Sequence, residues 1–101
     1  MRPDTNPMTL AASAQKATRL LKLMASEQRL MILCKLSEGE QSAGDLTELV
    51  GLSQGAASQH LAKMRAEGLV DTRRDAQTIY YRLTDDAARQ VIDVLCRIYG
   101  K

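Results

Sequence analysis

A single glycine, Gly51, stands between two apolar anchors, Val50 and Leu52, and is followed at once by Ser53, whose hydroxyl is suited to cap a new helix. A turn this short makes the helices on its two sides cross steeply, which is the layout of a helix-turn-helix. Upstream, Ser42-Ala43-Gly44-Asp45 resembles a capping box with Asp in the place usually held by Glu, so the first helix of the pair starts there. Downstream, Gly68 is a helix stop, after which Leu69–Arg74 and Thr78–Leu83 are β-prone runs. In the second run Ile79, Tyr81 and Leu83 alternate with Tyr80 and Arg82, the period of a half-buried strand. Asp75-Ala76-Gln77 is left as the hairpin loop. Helix, turn, helix and charged ribbon in this order predict a mainly α winged helix-turn-helix with a β-hairpin wing, about five helices and two antiparallel strands.

The second helix opens with Ser53, Gln54, Gly55, Ser58, Gln59 and His60, small or hydrogen-bonding side chains that can approach base edges closely. Gln pairs with adenine in two-bond geometry and Ser serves as donor or acceptor. Lys63 and Arg65 add charge for phosphates, which position a protein without reading sequence. Arg73 and Arg74 at the rim of the hairpin, with Gln77 at its tip, complete a candidate surface for double-stranded DNA. Taken alone, the helix face is equally a solvated one, and a charged tip also keeps an exposed edge soluble; the succession of the two favours contact with a duplex.

The remaining segments supply core and pairing surface. Ala14, Ala17, Leu20, Leu21 and Met24 share one face of a helix over Ser13–Met24, and Ser26 caps a helix to about Leu36 whose centre, Leu30-Met31-Ile32-Leu33-Cys34, is apolar nearly all round. A last helix, capped by Thr84 or Asp85, carries the stripe Ala88, Val91, Ile92, Leu95, Ile98 and Tyr99. The 101 residues suffice for one domain, 13–101, and with no Phe or Trp its core must come from aliphatic side chains. A homodimer through the first and last helices would supply the missing burial, with Leu20, Leu21, Val91, Ile92 and Leu95 as candidate interface residues. Residues 1–12, with Pro3 and Pro7, read as a flexible arm; they lack the apolar core of a signal peptide, and no run is long enough to cross a bilayer. A cytoplasmic protein without membrane contact is expected, and the net charge of +2 mildly favours a polyanionic partner.

The run SQGAASQHLAKMRAEGLVDTRRDAQTIYYRL, with ASEQRLMILCKL and SAGDLTELVGL upstream, resembles the ArsR/SmtB family of bacterial winged-helix repressors. The likeness extends from about Ala14 to Tyr99, and within the family it is most similar to the BigR/SqrR/YgaV branch of dithiol persulfide and redox sensors. It implies a dimer on a pseudo-palindromic operator, with recognition helices on the order of 34 Å apart.

Two cysteines, Cys34 in the second helix and Cys96 in the last, are too far apart in sequence for a redox loop or a zinc ribbon. By composition they are inert small hydrophobes. The resemblance reverses that preference, because its persulfide-sensing branch carries cysteines in these two helices. It implies that persulfide, polysulfide or oxidant links Cys34 to Cys96 and releases the operator. Lys35 and Arg97 neighbour the thiols in sequence and would favour thiolate, although adjacent residues of a helix point in different directions. The alternatives are a metal- or metalloid-responsive repressor using the thiols as soft-ion ligands and a protein-interaction winged helix. SAGDLTEL stands where metalloid sensors carry paired cysteines, and no histidine joins Asp85, Asp86 or Asp93 in a zinc set, so no metal or other cofactor is expected. No nucleophile constellation or phosphate-cradling glycine loop suggests an enzyme.

Overall fold

The computed structural model describes residues 6–100. Five helices run α1 (Pro7–Met24), α2 (Glu27–Ser37), α3 (Ala43–Val50), α4 (Gln54–Ala66) and α5 (Asp86–Tyr99), with strands β1 (Gln41–Ser42), β2 (Val70–Asp75) and β3 (Thr78–Leu83). Short polar caps set the helix starts: the hydroxyls of Ser26, Ser42 and Ser53 accept from the backbone N–H of Arg29, Asp45 and Ala56, and the Asp85 carboxylate accepts from Ala88. Of the two cap candidates for α5, Asp85 therefore takes the role. Gly51, at φ 67°, turns α3 into α4 in the left-handed region that glycine enters without a Cβ penalty.

The end of α4 explains how the wing is launched. Gly68 (φ 81°) donates to Arg65 O and Leu69 to Met64 O, the paired bonds of a Schellman stop. Met64 and Leu69, the hydrophobic pair of that motif, are both buried. The chain thus leaves the recognition-type helix already anchored and pairs β2 with β3 from Val70↔Leu83 to Asp75↔Thr78.

Two features depart from the sequence expectation. The sheet has three strands in the order β1-β3-β2, because Gln41 and Ser42 pair with Tyr81 and Tyr80; a two-residue strand has no alternation to read. Helix α1 begins at Pro7 rather than Ser13, with the Asn6 side chain accepting from Met8 N and proline in the first turn, where its missing N–H costs nothing. Residues 7–12, expected in the loose arm, are thus helical, and the rest of that arm, residues 1–5, lies outside the described residues.

The core joins Ile32, Leu33 and Leu36 of α2 to Leu46, Leu61, Met64, Leu69, Val70, Leu83, Ala88 and Ile92, with Leu23 and Met24 from the end of α1. Helix α2 is not buried all round, since Met31 is exposed and Leu30 and Cys34 are half-buried. Along the wing, burial decays outward from Leu83 through half-buried Tyr81 to exposed Ile79, as the ribbon runs past the core that could cover it. The radius of gyration is 15.0 Å, against about 13 Å for a compact chain of this length. Of the 18 residues of helix α1 only Leu23 and Met24 are buried, and the wing too runs beyond the core.

Candidate functional site

The α4 side chains divide cleanly. Ala57, Leu61 and Met64 are buried, whereas Gln54, Gly55, Ser58, Gln59 and Lys63 face solvent. Gln54 and Ser58 share a groove of about 740 Å³ with Thr47 and Glu48 of α3 and with Ile79 and Tyr81 of the wing. Helix, turn and ribbon therefore present one continuous concavity. Arg74 and Gln77 stand exposed on the wing, whose tip turns at Ala76 with φ 56°.

Three expected contact residues have other duties. The Ser53 hydroxyl holds the Ala56 N–H as a cap. His60 is half-buried, and its Nδ1 accepts from Arg29 Nε at 3.1 Å, while Arg29 Nη1 donates to Leu23 O at 3.1 Å. Arg29 thereby ties α4 to α2 and to the end of α1. Arg73 is paired with Glu40. Sequence reading missed Arg29 and Glu40, because each acts on a residue more than thirty positions away and belongs to no motif. Lys63 is 4.0 Å from Glu67, a weak exposed pair one helical turn on.

The second site lies where α2 packs on α5. Cys34 and Cys96, both half-buried free thiols, place their Sγ atoms 3.3 Å apart. They open onto an apolar recess of about 310 Å³ formed with Leu30, Ile92, Leu95 and Tyr99. A direct disulfide spans 2.03–2.05 Å, so closure needs about 1.3 Å of movement. A trisulfide, with two S–S bonds of about 2.05 Å meeting near the tetrahedral angle, keeps its outer sulfurs about 3.3 Å apart but must seat a third sulfur between the two helices.

The electrostatics correct one expectation. The hydrogen bond with Cys96 and then burial push the Cys34 thiol up, with Cys96 and Glu38 adding to the rise, and Lys35 only partly offsets them. Sequence proximity to lysine does not give Cys34 thiolate character. The bond to Cys96 dominates, so replacing Cys96 with alanine is expected to lower the midpoint of the pH–rate profile for alkylation of Cys34; an unmoved midpoint would show that burial alone sets it.

The expected pairing residues also separate. Leu20, Val91 and Leu95 are half-buried and Leu21 is exposed, but Ile92 is 2% exposed within its own chain. Ile92 is a core residue, pointing inward one helical turn after Ala88, and its own chain already covers almost all of it. Ile98 and Tyr99 of the same α5 stripe are exposed, as are Val94 on α5 and Met8 and Leu10 on α1, which the expectation omitted. Among the described residues, no group of three or more His, Cys, Asp or Glu side chains is placed to hold a metal ion, and no helix is long and apolar enough to cross a membrane.

Residues 26–72 match the family model described as bacterial regulatory protein, arsR family. The HTH-type transcriptional regulator YgaV of Escherichia coli (strain K12) is 50% identical over 91 residues, which cover 89% of this chain and 92% of that protein. Among solved structures, reduced HlyU from Vibrio cholerae N16961 superposes with a TM-score of 0.88 at 46% identity, covering 91% of this chain and 97% of that one. The transcriptional repressor BigR from Xylella fastidiosa gives 0.84 at 37% identity, covering 94% and 97%.

Proposed function

This chain belongs to the arsR family of bacterial regulatory proteins, whose members are DNA-binding transcriptional regulators and not enzymes, and on that premise we propose a dimeric repressor whose operator is released when sulfur chemistry links Cys34 to Cys96. The observation that carries the proposal is the 3.3 Å between the two Sγ atoms, which join two separate helices at one point. Isolated buried thiols need no such partner.

The reading of DNA rests on α4 and the wing. Gln54, Gly55, Ser58 and Gln59 enter a major groove, with Lys63, Arg74 and Gln77 on the flanking backbone. Ser53 and His60 shape the helix rather than touch bases. Pairing through α1 and α5 is supported by the exposure of Leu21, Val94, Ile98 and Tyr99. It is also supported by α1 itself, since a helix with so little of its length packed is marginal in water unless another surface covers it.

The hydrogen bond with Cys96 and burial favour the thiol form of Cys34, so Cys34 is assigned the second, resolving step and Cys96 the first attack. The Cys96 thiolate takes the sulfane sulfur of a persulfide RSSH and expels RSH, leaving a Cys96 persulfide. Cys34, losing its proton, then attacks the Cys96 sulfur and expels H₂S, so that two thiols and one RSSH give a disulfide, RSH and H₂S. If a second RSSH first lengthens the Cys96 persulfide, expelling another RSH, attack at the middle sulfur leaves a trisulfide and again H₂S. The apolar recess beside the pair gives the sulfur chain an apolar wall to lie against. Covalent linkage shifts α2 against α5, and Arg29 on α2 passes that shift to His60 on α4.

The test is intact-mass analysis after treatment with glutathione persulfide or hydrogen peroxide, paired with operator binding. A persulfide sensor loses the operator with the first reagent and keeps it with the second, whether its cysteines end as a disulfide or with an added sulfur between them. Loss of two hydrogens and equal release with both reagents would identify a general oxidation sensor instead.

A further inference from the structure

Arg73 does not stand free at the edge of the wing. Its Nε donates to Glu40 Oε2 and its Nη2 to Glu40 Oε1, each at 2.8 Å, and its guanidinium carbon lies 4.4 Å from the centroid of the Tyr80 ring. The three residues come from three segments. Glu40 immediately precedes β1, Tyr80 lies on the central strand β3 and Arg73 on β2, with Ser42, Tyr80 and Arg73 forming one rung of the sheet. Tyr80 is thus the floor over which the arginine reaches the carboxylate.

Two parallel N–H···O bonds to a carboxylate are the same fork that arginine offers to a phosphate. The side chains of Arg73 and Glu40 remain 53% and 31% exposed, and pairs in such surroundings are weak, median about 0–1 kcal/mol. The stacked ring holds the guanidinium in place whichever anion it binds. Both groups are charged throughout the physiological range, because each lies beside the other: Arg73 holds the Glu40 carboxyl below its ordinary range, and Glu40 raises the guanidinium. Arg74, the next residue, makes no ion pair among the described residues, and the Arg82–Asp71 pair two residues back along the ribbon is a looser single contact at 3.6 Å.

We propose that Glu40 is an internal competitor for DNA phosphate at Arg73, and so sets how tightly the wing holds the duplex. In the free protein the carboxylate fills the fork. On docking, a phosphate takes its place, Glu40 turns out to solvent and must recruit a cation, and the net release of counterions is smaller than an unencumbered arginine would give. The inference rests on the DNA-binding reading above.

The measurement is affinity for one mixed-sequence duplex across a series of KCl concentrations, for wild type, Glu40→Gln, Arg73→Gln and the double variant. Phosphate contacts are independent of sequence, so no operator is needed. Glu40→Gln is expected to bind about threefold to fivefold tighter, the range of an exposed ion pair, and to steepen the log–log salt dependence by up to about 0.9 for each chain bound. The gain should vanish in the Arg73→Gln background. Glu40→Ala removes the same carboxylate and should show the same gain. Unchanged or weaker binding in both Glu40 variants overturns the proposal and makes the pair a fixed brace of the wing. Wild-type protein that binds no duplex at any salt concentration would instead sink the DNA-binding reading itself.

Discussion

Replacing Cys34 or Cys96 with serine is expected to leave operator binding by the reduced protein intact and to abolish its release by persulfide. Serine is smaller than cysteine and can donate a hydrogen bond across the same gap, so the packing of α2 on α5, which depends on Leu33, Leu36 and Ile92, is unchanged. What is lost is the second sulfur. In the wild type, linkage between two conformations typically carries about 1–3 kcal/mol, or 5–150-fold in affinity, and each serine variant should reduce that ratio to unity. A single serine variant that still released the operator on persulfide treatment would mean that one persulfidated thiol is sufficient, and the bridge between helices would be irrelevant to control.

The second large effect concerns assembly. Leu21→Glu on α1, or Val94→Glu on α5, places a charge among side chains that the isolated chain leaves exposed, and each is expected to give a folded monomer by sedimentation. Loss of the second recognition helix removes the effective concentration that bivalent binding supplies, so operator affinity should fall by about 10²–10⁴-fold. A charge at Ile92 serves as the contrast. That side chain is buried in its own domain, and Ile92→Glu should unfold the chain rather than dissociate it. Dimers that survive both Leu21→Glu and Val94→Glu would place the pairing surface elsewhere.

The different burial of Leu21 and Ile92 shows where sequence periodicity stops. Both belong to apolar stripes at helical spacing, and a stripe gives the face of a helix that avoids water without saying whose surface covers it. The α5 stripe is split between two destinations: Ala88 and Ile92 turn into the domain, while Ile98 and Tyr99 run past its edge. In the same way, the alternation of Ile79, Tyr81 and Leu83 is correct for a ribbon, yet only Leu83 is buried, because the core ends before the wing does.

The local grammar was decided by the chain alone. Serine and aspartate caps, the glycine turn at Gly51, the stop at Gly68 and the two-strand ribbon each depend on residues within a few positions of one another, and the backbone follows wherever side-chain chemistry offers the nearest hydrogen bond. Tertiary packing decided the rest. It recruited Gln41 and Ser42 as a third strand, withdrew His60 and Arg73 to Arg29 and Glu40, and raised the Cys34 thiol through Cys96 against its neighbour Lys35. Those outcomes depend on atoms brought within 2.8–3.3 Å across 31 to 62 residues of chain, and no local pattern encodes a distance that only the assembled core can set.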